Sequence, residues 1–128
     1  MRMGFAAGEL ILEVGYGLDC DDVLRSEISK ITGTELIEGQ TTEVVDAVIL
    51  WWREGDGDLV DELMDATAYL SETGPIWVLT PKVGRPGHVE PSDIQDAAPT
   101  CGLNQTSTIA VAADWTATRL VARKAGKR

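Results

Sequence analysis

Val44-Val45-Asp46-Ala47-Val48-Ile49-Leu50-Trp51-Trp52 is the stretch on which the fold turns. From Ala47 onward every residue is apolar, so an extended segment here buries both of its faces. Strands of that kind sit in the middle of parallel sheets, with helices on either side. Neighbouring residues of a strand point to opposite faces, so Trp51 and Trp52 enter different layers. Near the end of the strand one of them could reach the rim. Because Trp is enriched at interface hot spots, both stand as interface candidates beside the plainer reading of core packing.

On the N-terminal side, Glu9 to Gly17 reads as an apolar strand closing in a glycine turn. Asp21 or Asp22 can then cap a helix whose apolar positions Leu24, Ile28 and Ile31 recur at i, i+4 and i+7, with Lys30 near its end and Gly33 just beyond. Thr34 to Glu38 is a short strand. On the C-terminal side, Gly55-Asp56-Gly57-Asp58 is a turn ending in a helix cap. Leu59, Val60, Leu63, Met64, Thr67 and Leu70 trace one face of a helix that should stop at Gly74-Pro75. Ile76 to Thr80 is a second buried strand. An eleven-residue loop from Pro81 to Pro91 follows and holds three of the five prolines, which gives it a specified shape.

Ser92 and Gln95 form a capping box for a helix to about Ala98, with Pro99 disturbing its last turn and Gly102 closing it. Two final strands, about Thr106 to Ala112 and Thr118 to Ala122, return through Asp114-Trp115-Thr116. Three strand-helix alternations and a closing hairpin predict an α/β architecture. It is a small Rossmann-like three-layer sandwich, with a mainly parallel sheet and an antiparallel C-terminal strand pair. Residues 1–122 make one domain, and 123–128 form a short basic tail.

The charge narrows the function. The 128 residues carry 21 acidic and 11 basic side chains, a net charge of −10. Residues 1–81 hold 17 acids and 4 bases, and residues 82–128 hold 4 acids and 7 bases. A chain this acidic repels polyphosphate, which excludes broad non-specific duplex binding and favours basic partners. The apolar stretch around Trp51 is far too short for a membrane span, and the N-terminus lacks a long apolar core, so the expected location is cytoplasmic. Cys20 and Cys101 lie 81 positions apart with no CxxC and a single histidine. That pattern points to free thiols and to no metal site.

Three groups of residues could carry function. Glu13-Val14-Gly15-Tyr16-Gly17 is similar to the opening of the S-adenosylmethionine motif, in which Gly15 and Gly17 would let a cofactor approach the backbone and Glu38 could bind a ribose. The competing reading is a tight turn whose acids Asp19, Asp21 and Asp22 cap a helix. Lys82, Arg85 and His88 concentrate positive charge on a stiff loop at the carboxyl edge of the sheet, where they could hold an anion or a partner's carboxylates. They could equally pair with Asp19 or Asp56. Cys20 and Cys101 are candidate redox thiols. They belong near opposite edges of the sheet, too far apart to bond, and the acids around Cys20 oppose reactivity. With one histidine, no catalytic set is assigned.

Asp19-Cys20-Asp21-Asp22, Val45 to Arg53, Asp56 to Asp61 and above all Leu79 to Ile94 together resemble an actinobacterial family of unknown function, from about Gly8 to Ala122. That resemblance implies a methyltransferase-like Rossmann fold without an established reaction. It also implies a link to thiol-based, sigma-factor-associated transcriptional control of the oxidative stress response. The leading expectation is a non-enzymatic, redox-responsive regulator or adaptor, without a cofactor, that binds a sigma factor or RNA polymerase through its carboxyl-edge loops. The alternative is a minimal S-adenosylmethionine- or nucleotide-binding protein. The two differ in whether the crevice between the first and fourth strands is open or filled by side chains.

Overall fold

The computed structural model describes residues 3–39 and 41–123. The elements in chain order are β1 (Ile11–Val14), α1 (Asp22–Thr32), β2 (Ile37–Glu38), β3 (Ala47–Trp51), α2 (Leu59–Thr67), β4 (Ile76–Pro81), α3 (Pro91–Thr100), β5 (Leu103–Ala110) and β6 (Trp115–Ala122). They build a six-stranded sheet in the order β2-β1-β3-β4-β6-β5. The first four strands are parallel, while β6 runs antiparallel to β4 and β5 antiparallel to β6. This is the Rossmann-like sandwich with an antiparallel end that the alternation of elements predicted.

β3 is buried at every position, as its uninterrupted apolar run requires. On one face Val48, Leu50 and Trp52 pack with Leu59 and Leu63 of α2 and Ile94 and Ala97 of α3. On the other, Ala47, Ile49 and Trp51 pack with Leu24 and Ile28 of α1, with Trp77 and with Trp115. Trp51 and Trp115 meet edge to face, with ring centroids 4.8 Å apart. At 1% and 6% exposure Trp51 and Trp52 are core residues. Their side chains belong to the two core layers on opposite faces of the sheet, Trp51 with α1 and Trp52 with α2 and α3.

α1 begins where Asp21 accepts the Leu24 N–H at 2.9 Å and ends at Gly33, whose φ of +79° is the left-handed cap glycine permits. α2 is capped by Asp58 but stops at Thr67 rather than Gly74, since Val45 and Leu70 form a parallel bridge that takes the following chain out of the helix. β3 correspondingly starts at Ala47, and Val44 is exposed. β2 shrinks to two residues.

α3 starts at Pro91, one residue ahead of the expected Ser92 cap, and Glu90 occupies the cap without a side-chain bond. Proline's fixed φ suits the first helical position, and that preference displaced the capping box. Pro99 lies within the last turn. The final strands start earlier than expected, β5 at Leu103 and β6 at Trp115, so Trp115 and Thr116 belong to β6 itself. β5 is the exposed edge, polar from Asn104 to Thr108 and shifted in register between Gln105 and Ser107, which protects it from pairing with another chain. Of the basic tail only Arg123 is described, donating to the Pro99 carbonyl at 2.9 Å. Residues 124–128 lie outside the described residues.

Candidate functional site

The sheet grows outward from β1 in both directions, toward β2 on one side and β3 on the other. Doubly wound folds bind ligands at such a reversal, in the crevice beyond the strands' carboxyl ends. That crevice lies between β1 and β3. The first and fourth strands do not meet there, because β3 separates them.

Arg53 fills the crevice. It lies two residues beyond the end of β3 and turns its guanidinium back to the glycine turn. Its Nε donates to Asp19 Oδ2 at 2.9 Å and its Nη2 to Asp19 Oδ1 at 2.7 Å, a two-pronged pair in which each prong reinforces the other. Its Nη1 donates to the Gly15 carbonyl at 2.8 Å and the Trp51 carbonyl at 3.3 Å, and its Nη2 also reaches Cys20 Sγ at 3.1 Å. Asp56 closes the cluster at 3.5 Å. The ring of Trp115 lies 5.4 Å from the guanidinium, and the Trp115 Nε1–H donates to the Asp19 carbonyl. One cation thus pins the β1–α1 loop to the β3–α2 loop.

The glycines follow from this arrangement. Gly15 has φ +83°, and a Cβ there would collide with the Trp51 carbonyl oxygen. A Cβ on Gly17 would stand 3.2 Å from both Arg53 Nη2 and Asp19 Oδ1. The close approach that glycine permits is made here by the chain's own backbone and Arg53. Glu38 ends β2 exposed, in register with Glu13 of β1.

Glu13 itself is a buried carboxylate, its side chain 0% exposed. It accepts from Arg25 Nε at 2.7 Å, Arg25 Nη2 at 2.8 Å and Trp51 Nε1 at 2.9 Å. Arg25 stacks over Tyr16 at 3.9 Å and reaches Asp22, which also accepts the Tyr16 hydroxyl. Two Arg-carboxylate pairs, Arg53 with Asp19 and Arg25 with Glu13, therefore brace the turn.

Cys20 and Cys101 are both free. Burial pushes the Cys20 thiol up, outweighing the Gly17 N–H and the Arg53 charge that pull it down, and Asp19 and Glu13 add to the rise. Burial likewise raises Cys101, helped by Asp58 and Asp61. Cys101 Sγ contacts the Val60 carbonyl, while Cys20 stays with Gly17 and Arg53. The hydrogen bond from Arg53 holds the Asp19 carboxyl below its ordinary range.

The basic loop is braced from within. Arg85 pairs with Asp114 at 2.9 Å, and the Lys82 N–H donates to the Asp114 carbonyl. His88 Nδ1 stands 2.9 Å from the Pro81 carbonyl. Asp19 and Asp56, the acids given as this loop's alternative partners, pair with Arg53 instead. Arg53 is the residue that sequence reasoning passed over. The available signal was its isolation, for it is the only base between residues 31 and 81 and it directly follows the paired tryptophans.

A family model described as a protein of unknown function (DUF3052) matches residues 1–124. The chain belongs to the DUF3052 family. It is 52% identical over 129 residues to uncharacterized proteins of Mycobacterium tuberculosis (strain H37Rv) and Mycobacterium bovis, covering 99% of this chain and 81% of each relative. Among solved structures, this DUF3052 chain resembles a SAM-dependent methyltransferase from Aquifex aeolicus (TM-score 0.71, 11% identity, 93% of this chain and 85% of that one). It also resembles the ribosomal protein L11 methylase of Lactobacillus delbrueckii subsp. bulgaricus (TM-score 0.61, 11% identity, 96% and 74%). At such identities the likeness is one of fold. Among the described residues no helix is long and apolar enough to cross a membrane, and no acid, histidine and cysteine cluster is arranged to hold a metal ion.

Proposed function

We propose that this DUF3052 protein is a non-enzymatic adaptor on a methyltransferase-like scaffold, whose carboxyl edge docks a protein partner. The observation that carries this reading is Arg53, which occupies the crevice and is held there by Asp19, Gly15 and Trp51. A guanidinium in that position takes up the space a cofactor would need and opposes the positive sulfonium of S-adenosylmethionine.

The same edge presents apolar side chains to solvent. Leu18, Val23 and Val83 are exposed, with Leu18 fully so. Leu18, on the loop that Arg53 pins, and Val23, in the first turn of α1, stand among Asp19, Asp21 and Asp22. Apolar tips set in fixed acidic surroundings suit a partner with a basic rim and an apolar centre. The family resemblance supplies the partner class, a sigma factor or RNA polymerase in the cytoplasm. Control by oxidation forms no part of this proposal, because burial raises both thiols and lowers the thiolate fraction that oxidants attack.

Two measurements test the reading. Calorimetry with S-adenosylmethionine and with S-adenosylhomocysteine should show no saturable heat. Saturable binding of either would restore the alternative of a minimal cofactor-binding protein. Surface plasmon resonance against purified RNA polymerase, with and without its sigma factor, should show binding that Leu18→Asp weakens at least tenfold at unchanged melting temperature. No binding to either, or binding indifferent to Leu18→Asp and Val83→Asp, overturns the docking edge.

A further inference from the structure

The face of the sheet beneath α3 carries hydroxyls where aliphatic side chains would be ordinary. Thr80 of β4 stands opposite Thr116 of β6, and Thr118 of β6 stands opposite Thr108 of β5. The alternation of side chains puts these four on the face that Ile76 and Val78 use for the α2 and α3 core. Thr80 and Thr118 are 5% and 4% exposed. Among the described residues neither hydroxyl has a hydrogen-bond partner, and neither is among the fully buried unpartnered atoms, so both remain open to a ligand from the cavity side.

All four threonines line a cavity of about 450 Å³ between this face, the start of α3 and the loop of residues 82–90. Val83, Val89, Pro91 and Ile94 supply apolar walls, and Lys82 and His88 complete the lining. The Pro81 carbonyl accepts from His88 Nδ1, so Nδ1 carries the proton and Nε2 is the nitrogen left for a ligand. In a chain of net charge −10 no acid lines this cavity. The contrast is local, since a groove of about 640 Å³ between α2 and α3 is rimmed by Glu54, Asp58, Asp93 and Asp96.

We propose that this cavity binds a small organic carboxylate with an apolar body. The Lys82 ammonium and the Thr80 and Thr118 hydroxyls meet the carboxylate, and Val83, Val89 and Ile94 enclose the body. The size falls within the ordinary range of small-molecule sites, roughly 300–1,000 Å³. A single lysine matches one negative charge. A phosphate group suits the cavity less well, because α3 opens on Pro91, which has no N–H to offer an anion at the helix start.

Titration with 4-phenylbutyrate, followed by the amide resonances of the ¹⁵N-labelled protein, tests the assignment, with the neutral amide 4-phenylbutyramide as control. Saturable shifts should centre on Thr80, Lys82, His88 and Thr118, with the amide binding at least about tenfold more weakly. Lys82→Gln, which alters a partly exposed side chain, and Thr118→Val, which keeps the shape, should each weaken the carboxylate by about tenfold or more, the scale of one hydrogen bond to a charged group. The proposal is overturned by no saturable shift, by equal affinity for acid and amide, or by saturation by inorganic phosphate without saturation by the carboxylate. Shifts confined to the acid-rimmed groove count against it equally.

Discussion

Replacing Glu13 by Gln should cost the fold about 2–4 kcal/mol. The substitution keeps size and shape but removes the charge from a side chain that is 0% exposed and faces Arg25, itself 23% exposed. Oε2 receives two donors, Arg25 Nε and Trp51 Nε1, whereas Oε1 receives Arg25 Nη2 alone. A glutamine can place its oxygen at the first position and keep both of those bonds. Its NH₂ group then confronts Nη2, donor against donor, with an arginine left uncompensated. Breaking a buried pair from one side costs about 3–5 kcal/mol. Partial access of water to Arg25 reduces that figure, which gives the range above. Against a domain stability of about 5–15 kcal/mol the loss is large, and it should lower the melting temperature by about 10 °C. Urea unfolding followed by circular dichroism measures it directly, with an unchanged m-value showing that the compactness of the end states is the same. A loss below about 0.5 kcal/mol would refute the view that Glu13 and Arg25 brace the turn. Arg25→Gln should cost as much or more, and the double variant less than the sum of the two.

Gly15→Ala should destabilise by at least about 2 kcal/mol, combining left-handed strain of about 1–2 kcal/mol with a collision against the Trp51 carbonyl, whereas Gly33→Ala, with open space around it, should show the strain alone. Chemical denaturation of the two variants compares them, and equal losses would remove the argument for close approach. Asp19 has a depressed pKa in the folded protein, so its stabilisation is fully present above the ordinary carboxylate value of about 3.9 and is lost as pH falls through the lower folded value. The gap in melting temperature between the wild type and Asp19→Asn should therefore be constant from pH 6 to 5 and narrow below about pH 4; a gap independent of pH contradicts the pairing with Arg53. Both thiols should react with iodoacetamide at pH 8 more slowly than glutathione does, because burial raises each of them. Intact-mass kinetics read this, and a faster Cys20 would reopen the case for redox sensing.

The fold was legible wherever one local rule acted alone. The unbroken apolar run of β3 announced a central strand, and Asp21, Gly33 and Asp58 marked helix ends through their own side chains or missing Cβ. Boundaries slipped where two rules competed. Ser92 and Gln95 make a sound capping box, but Pro91 is better suited to the first helical position and moved the cap from Ser92 to Glu90, two residues earlier. The apolar face of α2 continues in sequence to Leu70, yet pairing of Leu70 with Val45 ends the helix three residues earlier. That bridge joins positions 25 residues apart, so no window along the chain contains it.

The site shows the same division more sharply. The glycine turn was visible as a turn, and its two readings, cofactor approach or helix entry, differ only in what lies opposite. What lies opposite is Arg53, 34 positions from Asp19 and 38 from Gly15. Charge counting concealed it, because a lone base among the 11 acids of residues 31–81 looks like dilution. In space it is a concentration, with Asp19 and Asp56 both turned to one guanidinium and Glu13 committed to Arg25 nearby. The C-terminal third gives the mirror image. Its excess of bases drew attention to Lys82, Arg85 and His88 as a single cluster, yet Arg85 is taken by Asp114 and His88 is turned to a carbonyl. Lys82 and His88 line a cavity without acids, and of the two Lys82 is the one whose side chain is not held by the protein itself. Charge in this protein therefore acts through a few assigned pairs, Asp19 with Arg53 and Asp22 with Arg25 among them, and Lys82, which enters none of the ion pairs among the described residues, is where an anionic ligand has something to meet.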